Sequence, residues 1–222
     1  MTSGPKTIAE RVEAFEAEQA TKLPSELLEI FIAERARLEA AGLPKDATQV
    51  GTPMPDGDLL DAKGNRTTLA QAREGGPAVV VFYRGAWCPY CSLALNAYQA
   101  ELLPGLSDRG VALIALSPQK PDGSLTTQET NGLTFTVLSD PGNQIAGKLG
   151  IQVRQSAATR NAQLELGLDV AAGNADGTDA LPMPTVVVVD ADGVIRWMDA
   201  QPDYSRRTEV GEILPAVDRA LG

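Results

Sequence analysis

Residues Ala78-Val-Val-Val-Phe-Tyr83 form an unbroken apolar run with no polar alternation. A strand of that composition has no solvent face, so it must be covered on both sides, as central strands of α/β sheets are. Val111–Leu116, behind Gly110, reads as a second buried strand. Thr185–Val189 and Val194–Met198 read as a hairpin turning at Asp192-Gly193. Between these lie a helix from Cys88 to Leu103 that Pro104-Gly105 ends, a short strand at Phe135–Leu138 and a short helix around Ile145–Leu149. A final helix spans about Thr208 to Leu221. Strands alternating with helices predict an α/β fold, a central mixed sheet with helices on both faces.

The first forty-odd residues have a different texture. Ile8, Val12 and Phe15 recur at helical spacing among charged residues. Pro24 and Ser25 open a second helix whose stripe includes Leu27, Leu28, Phe31 and Leu38, and Gly42 and Pro44 close it. The expected organisation is therefore a helical arm over residues 1–46 and an α/β domain over 47–222. The arm either packs on its own domain or forms a homodimer interface. Residues 151–181 are the least patterned, with a helix from about Ala157 to Leu168 and a loop at Ala171–Gly177.

Composition removes whole classes of chemistry. The chain has 222 residues, a formal net charge of −10, two Cys and no His. Without His there is no Ser-His-Asp triad, no Cys-His pair and no imidazole-ligated zinc. An acidic chain is a poor partner for nucleic acid or an anionic membrane, which require clustered Lys and Arg. The charged start is unlike a secretory signal, and the longest apolar runs are too short to span a bilayer. A cytoplasmic setting is the expectation, where a cysteine pair is more often catalytic or metal-binding than structural. Asp190-Ala-Asp-Gly193 begins like a calcium loop, but Gln201 stands at its twelfth position, so it reads as a hairpin turn. Arg206-Arg207 reads as a solvated helix start, with an anion site as the alternative.

Both cysteines fall in Trp87-Cys88-Pro89-Tyr90-Cys91, directly after the first buried strand and at a helix start. A spacing of three brings the sulfurs onto one turn, close enough for a disulfide. The helix N-terminus favours an anion, and Pro89 suits the first turn because its missing N–H is not needed there. A free thiol with pKa about 8.5 is only about 3% ionised at neutral pH, so a reactive cysteine needs such help. Arg84 is the nearest cation in sequence. Cys88, ahead of the helix, is expected to be the exposed nucleophile, and Cys91, one turn in, the resolving partner.

A second signal is Leu181-Pro-Met-Pro-Thr185 at the head of a Val-rich strand, where Pro184 is expected to be cis in the CxxC context.

A buried strand, then WCPYC at a helix start, then Pro184-Thr185 leading a later strand, is similar to the thioredoxin fold. The string Phe82-Tyr-Arg-Gly-Ala-Trp-Cys-Pro-Tyr-Cys91 resembles the alkyl hydroperoxide reductase/thiol-specific antioxidant (AhpC/TSA), peroxiredoxin-like family. Ser117-Pro-Gln119, Leu138–Gly142, Leu181–Thr185, Asp203-Tyr204 and Arg206-Arg207 add to that resemblance, which covers about residues 47–222. The resemblance implies a thioredoxin-like domain with an N-terminal helical extension. It implies a cofactor-free and metal-free thiol peroxidase in which Cys88 reduces a peroxide and Cys91 resolves it, with a thioredoxin- or glutathione-type reductant closing the cycle. Arg84, Trp87, Pro89, Tyr90, Pro184 and Thr185 would support the site, and Met183 would lie beside Pro184 at the partner-docking surface.

One departure bears on the activity. The family's common pattern has Pro seven residues, and Thr or Ser three residues, before the peroxidatic cysteine; Val81 and Gly85 stand there instead. A general thiol–disulfide oxidoreductase acting on disulfide substrates is therefore an alternative. So are a dimeric metal or iron–sulfur carrier through the CxxC pair and a redox-inert interaction module.

Overall fold

The computed structural model describes residues 6–45 and 47–222. The start of the chain and the arm boundary at residue 46 lie outside the described residues.

The arm is a pair of helices, α1 (Ile8–Lys22) and α2 (Ser25–Ala41). Thr7 caps α1, its hydroxyl accepting from the Glu10 N–H while the Glu10 carboxylate accepts from the Thr7 N–H. The α/β part follows as β1 (Leu59–Asp61), β2 (Arg66–Thr67), α3 (Leu69–Ala72), β3 (Ala78–Phe82), α4 (Pro89–Ala97), α5 (Leu103–Ser107), β4 (Ala112–Ser117) and α6 (Pro121–Asn131). Then come β5 (Thr136–Ser139), α7 (Gln144–Leu149), β6 (Gln152–Val153), α8 (Ala157–Glu165), α9 (Val170–Gly173), β7 (Leu181–Pro182), β8 (Thr185–Val189), β9 (Ile195–Ala200) and α10 (Val210–Leu221).

Seven strands form one mixed sheet in the order β2-β1-β5-β4-β3-β8-β9, with β3, β4 and β5 parallel and β8 antiparallel to β3. Every residue of β3 and β8 is buried, as their unbroken apolar runs require. Period-two alternation divides them between two cores. Val79 and Val81 face α4, α5 and α10, whereas Ala78, Val80 and Phe82 face α7. The β8–β9 hairpin turns at Asp190–Gly193, with the Asp190 carboxylate accepting from the Val194 N–H at 2.8 Å.

Three local expectations need correction. The helix after the cysteines does not end at Pro104-Gly105. A single wider π turn over Tyr98–Leu102 shifts the winding, which places Pro104 in the first turn of α5, where no N–H is needed. The loop expected at Ala171–Gly177 begins inside α9, which Asp169 caps by accepting from the Ala172 N–H at 3.0 Å. The peptide bond before Pro184 is trans. Extended chain runs through that point, with the Met183 N–H donating to Ile151 O and the Gln201 N–H to Pro184 O, each at 2.8 Å.

The arm packs on its own domain. Ile8 is 2% exposed and joins the α4–α10 core, and the Ile8 and Ala9 N–H groups donate to the Glu209 carboxylate at 3.0 and 2.8 Å. Glu34 on α2, 2% exposed, pairs with Arg37 and accepts from the Ser156 N–H at 3.1 Å, so the start of α8 is tied to the arm.

Candidate active site

The strand-to-helix junction after β3 positions both sulfurs. Cys88 is the N-cap residue of α4, and its carbonyl accepts the Cys91 and Ser92 N–H groups at 3.0 and 3.2 Å. Cys91 therefore lies on the first turn, turned toward the sheet. Both thiols are free. The expected exposure of Cys88 is corrected: Cys88 is 0% and Cys91 1% exposed, because Trp87, Tyr90, Tyr204 and the arm cover the junction.

Arg207 is the residue that spacing did not reveal. Its Nη2 donates to Cys91 Sγ at 3.2 Å and makes a longer 3.9 Å contact with Cys88 Sγ. The solvated pair expected at 206–207 divides. Arg206 remains exposed near Glu39 and Asp203, whereas Arg207 turns inward. The loop that carries it is held at both ends. Asp203 accepts from Ser205 N–H and Oγ, and Thr208 O accepts from the Tyr98 hydroxyl at 2.7 Å. More than a hundred residues separate Arg207 from the pair, so no local pattern signals it.

The charge arrangement favours Cys91 as the ionised sulfur. Burial pushes its thiol up, but a hydrogen bond from Cys88, the Arg207 guanidinium and the Arg84 N–H, 3.4 Å away, together hold it well below the ordinary thiol value. Cys88 goes the other way. Burial pushes its thiol up, its hydrogen bond and charge repulsion with Cys91 push it further, and the Arg84 and Arg207 guanidiniums offset only part. The cationic and N–H contacts of the resting pair thus fall closer to Cys91 than to Cys88, the sulfur expected to be the nucleophile. With a guanidinium lodged against both sulfurs, the pair is also poorly arranged for a metal cation.

Arg84 is buried, with its guanidinium 4.0 Å from the Tyr204 ring centroid and 5.0 Å from that of Trp87. Gly85 explains the missing hydroxyl residue. Its φ is +152°, and a Cβ there would lie 2.5 Å from Trp87 Nε1 and 2.9 Å from Gln119 Cδ. The junction therefore excludes Thr or Ser at this position, while the Ala86 N–H donates to Gln119 Oε1 at 2.6 Å.

Pro184 and Thr185 line a small cavity shared with Cys91 and Arg207, and Thr185 Oγ1 donates to Met183 O at 2.9 Å. Met183 is not at a docking surface. It is 3% exposed and packs in the core on the α7 side of the sheet, because successive residues of an extended chain point to opposite faces.

Cys88 borders a much larger, mainly apolar cavity of about 440 Å³. Trp87, Pro89 and Tyr90 form its floor, the arm one wall, and Gln163, Leu166 and Leu168 the other. The Tyr90 hydroxyl donates to Glu16 Oε1 at 3.1 Å, Glu16 pairs with Arg35, and Phe15 meets the Tyr90 ring edge-on at 5.4 Å.

The family model described as the AhpC/TSA family matches residues 50–198. Over 95 residues the chain is 34% identical to a Mycobacterium tuberculosis protein that carries the peroxiredoxin name, covering 43% of this chain and 59% of that one. It is 30% identical over 108 residues to the thiol-disulfide oxidoreductase ResA of Bacillus thuringiensis, covering 48% and 61%. The chain thus spans about three fifths of these relatives. Among solved structures, peroxidoxin BcpB from Mycobacterium tuberculosis matches with a TM-score of 0.59 at 17% identity, covering 79% of this chain and 99% of that one. A peroxiredoxin-like protein from Aquifex aeolicus matches with a TM-score of 0.62 at 16% identity, covering 81% and 91%. These likenesses establish the thioredoxin-like fold. No described helix is long and apolar enough to cross a membrane.

Proposed function

The chain belongs to the AhpC/TSA family, and on that premise we propose that it is a thiol-dependent peroxidase working through Cys88 and Cys91. One observation carries this reading: a guanidinium and a backbone N–H converge on one sulfur of a CxxC pair while the other sulfur lies farther from that guanidinium.

The chemistry follows from that asymmetry. The Cys91 thiolate attacks the terminal oxygen of a hydroperoxide, the O–O bond breaks, and the leaving oxygen takes the Cys88 proton and departs as alcohol or water. Cys91 is then a sulfenic acid. The Cys88 thiolate attacks its sulfur, and hydroxide leaves and is protonated to water. Two thiols have supplied two electrons, and the products are one disulfide, one alcohol and one water. A dithiol or thiol reductant of the thioredoxin or glutathione type returns the pair to its starting state by exchange. Arg207 and Arg84 act by positioning and charge.

Peroxide consumption by the reduced protein, coupled to a thioredoxin recycling system, tests this. Turnover should vanish in Cys91→Ser, whereas Cys88→Ser should retain one stoichiometric burst and stall as the sulfenic acid. Disulfide reduction without peroxide turnover would instead assign the pair to thiol–disulfide exchange, as the name of the ResA relative suggests for that protein.

A further inference from the structure

A guanidinium without an oxygen partner stands in the wall of the cavity beside the arm. Arg84 is 4% exposed. Its backbone N–H reaches Cys91 Sγ, but among the described residues its side chain meets no carboxylate, carbonyl or hydroxyl. It lies instead against the Tyr204 and Trp87 rings. Ring faces attract the charge but offer no oxygen acceptor to the N–H fork. Other inward-turned guanidiniums are committed. Arg73 donates to Gly76 O and Asp190 O, and Arg35 pairs with Glu16. Arg207 donates to Cys91 Sγ and to the Tyr204 and Arg206 carbonyls. A buried cation without a partner is costly, and a charge-assisted bond to an anion removes that cost.

The rest of the cavity defines what the anion must carry. Half of the chain's Phe, Trp and Tyr side chains line this space: Phe15, Phe31, Trp87, Tyr90 and Tyr204. The Tyr90 ring meets Phe15 edge-on at 5.4 Å and Tyr204 at 6.0 Å, so these rings form a continuous wall. A flat ring placed among them gains edge-to-face and offset contacts that a saturated chain lacks. A cavity of about 150 Å³ accepts one benzene ring, so about 440 Å³ accepts a body of two fused rings with its head group. Charge sets the head group. Glu16 is held by Arg35 and by the Tyr90 hydroxyl, which leaves the single positive charge of Arg84 to match a monoanion rather than a phosphate dianion. A guanidinium fork fits a carboxylate bidentately. Phe15 and Phe31 come from the arm and Tyr204 from the stretch before α10, all outside the matched span 50–198.

We propose that the space between the arm and the strand-to-helix junction is a binding site for an aromatic carboxylate, with the carboxylate on the Arg84 guanidinium and the rings among Phe15, Phe31, Tyr90 and Tyr204. The ligand is held and not converted. The site needs no sulfur chemistry and stands independently of the peroxidase reading.

The experiment titrates 2-naphthoate and its neutral counterpart 2-naphthalenemethanol into the full reduced chain by calorimetry. Saturable one-to-one binding of 2-naphthoate is expected, at least about tenfold tighter than that of the alcohol. In Arg84→Met the preference should fall to within about threefold while the alcohol still binds, which reports that the cavity is intact. Leu28→Gln/Ile32→Gln leaves the cation in place and should weaken both probes at least about tenfold, whereas Leu125→Gln, at an exposed residue outside the cavity, should weaken neither. Equal affinity for the two probes in the unaltered chain overturns the carboxylate assignment, and so does a preference that survives Arg84→Met. Absence of saturable binding, or 2-naphthoate binding untouched by the double variant, overturns the site. A concentration-dependent dimer that excludes 2-naphthoate, seen by sedimentation, overturns it in favour of a second copy of this chain. Peroxide turnover is decided by its own assay, so failure of either reading leaves the other standing.

Discussion

Arg207 Nη2 lies 3.2 Å from Cys91 Sγ, a charge-assisted contact between residues 116 positions apart. A hydrogen bond to a charged group contributes about 1.5–3 kcal/mol, equivalent to about one to two pKa units. Replacing Arg207 by Met should therefore raise the Cys91 midpoint by about that much. Arg207→Lys should recover part of the shift. Iodoacetamide labelling across pH, with mass-spectrometric assignment to Cys91, reads the midpoint directly. An unmoved midpoint would leave Arg207 with a packing role alone.

Gly85 carries a second prediction. Its φ of +152° is open to glycine and strained for other residues, and the space a Cβ needs is held by the Trp87 indole and Gln119. Gly85→Ala should destabilise the domain by at least about 2 kcal/mol, since backbone strain of this kind costs about 1–3 kcal/mol before any clash is counted. Urea denaturation of the reduced protein measures it. The same substitution should displace Trp87 and shift its fluorescence.

Much of the fold was legible in the sequence because the three apolar runs could only be buried strands, and because Cys88-Pro89 marks a strand-to-helix junction. The hairpin at Asp190–Gly193 and the two arm helices were legible from turn chemistry and helical spacing. The site was legible only along the chain. Arg207 was missed because its partners come from another element, and local pattern reported an ordinary charged pair. The burial of Cys88 was missed because the cover comes from an arm whose docking depends on Ile8 and Glu209, a contact across two hundred residues. Met183 was placed on the wrong side because a one-residue step along extended chain reverses the face. The path past Pro104 depended on a π turn that no spacing rule signals.

Asp140 gives a pH dependence of unusual sign. Its carboxylate accepts from the Gln144, Ile145 and Ala146 N–H groups at the start of α7, but burial outweighs these contacts and raises it to about 6. In the unfolded chain an Asp titrates near about 3.9. Between about pH 4 and 6 the native state holds a proton that the unfolded chain has lost, so this contribution to stability weakens as pH rises through that window. Lowering pH from 7 to 5 should therefore stabilise the protein by about 1 kcal/mol, or a Tm rise of about 2–4 °C. Asp61, Asp179 and Asp190 are held below the ordinary value, so their losses come at lower pH. In Asp140→Asn the rise between pH 7 and 5 should be absent by calorimetry.

The arm's docking can be separated from the stability of the domain. Ile8 is the fully buried residue of α1 in the sheet-side core, where the partly buried Val12 also packs, and removing such a buried aliphatic side chain costs about 2–5 kcal/mol. Otherwise α1 is held by the partly buried Val12, by the Phe15 ring against Tyr90, and by partly exposed polar contacts, among them Arg11 with Glu101, Glu16 with Arg35, and the backbone bonds to Glu209, and exposed ion pairs each contribute about 1 kcal/mol or less. Ile8→Ala should therefore release α1 locally before the α/β domain unfolds. Tryptic cleavage within Ile8–Lys22 should accelerate at least tenfold, while the urea midpoint of the domain moves much less. Because α1 covers the Cys88 side of the junction, alkylation of Cys88 should accelerate in parallel with cleavage. Faster cleavage with unchanged Cys88 labelling would show that the cover over this sulfur comes from Trp87 and Tyr90 alone and that the arm is not part of the site.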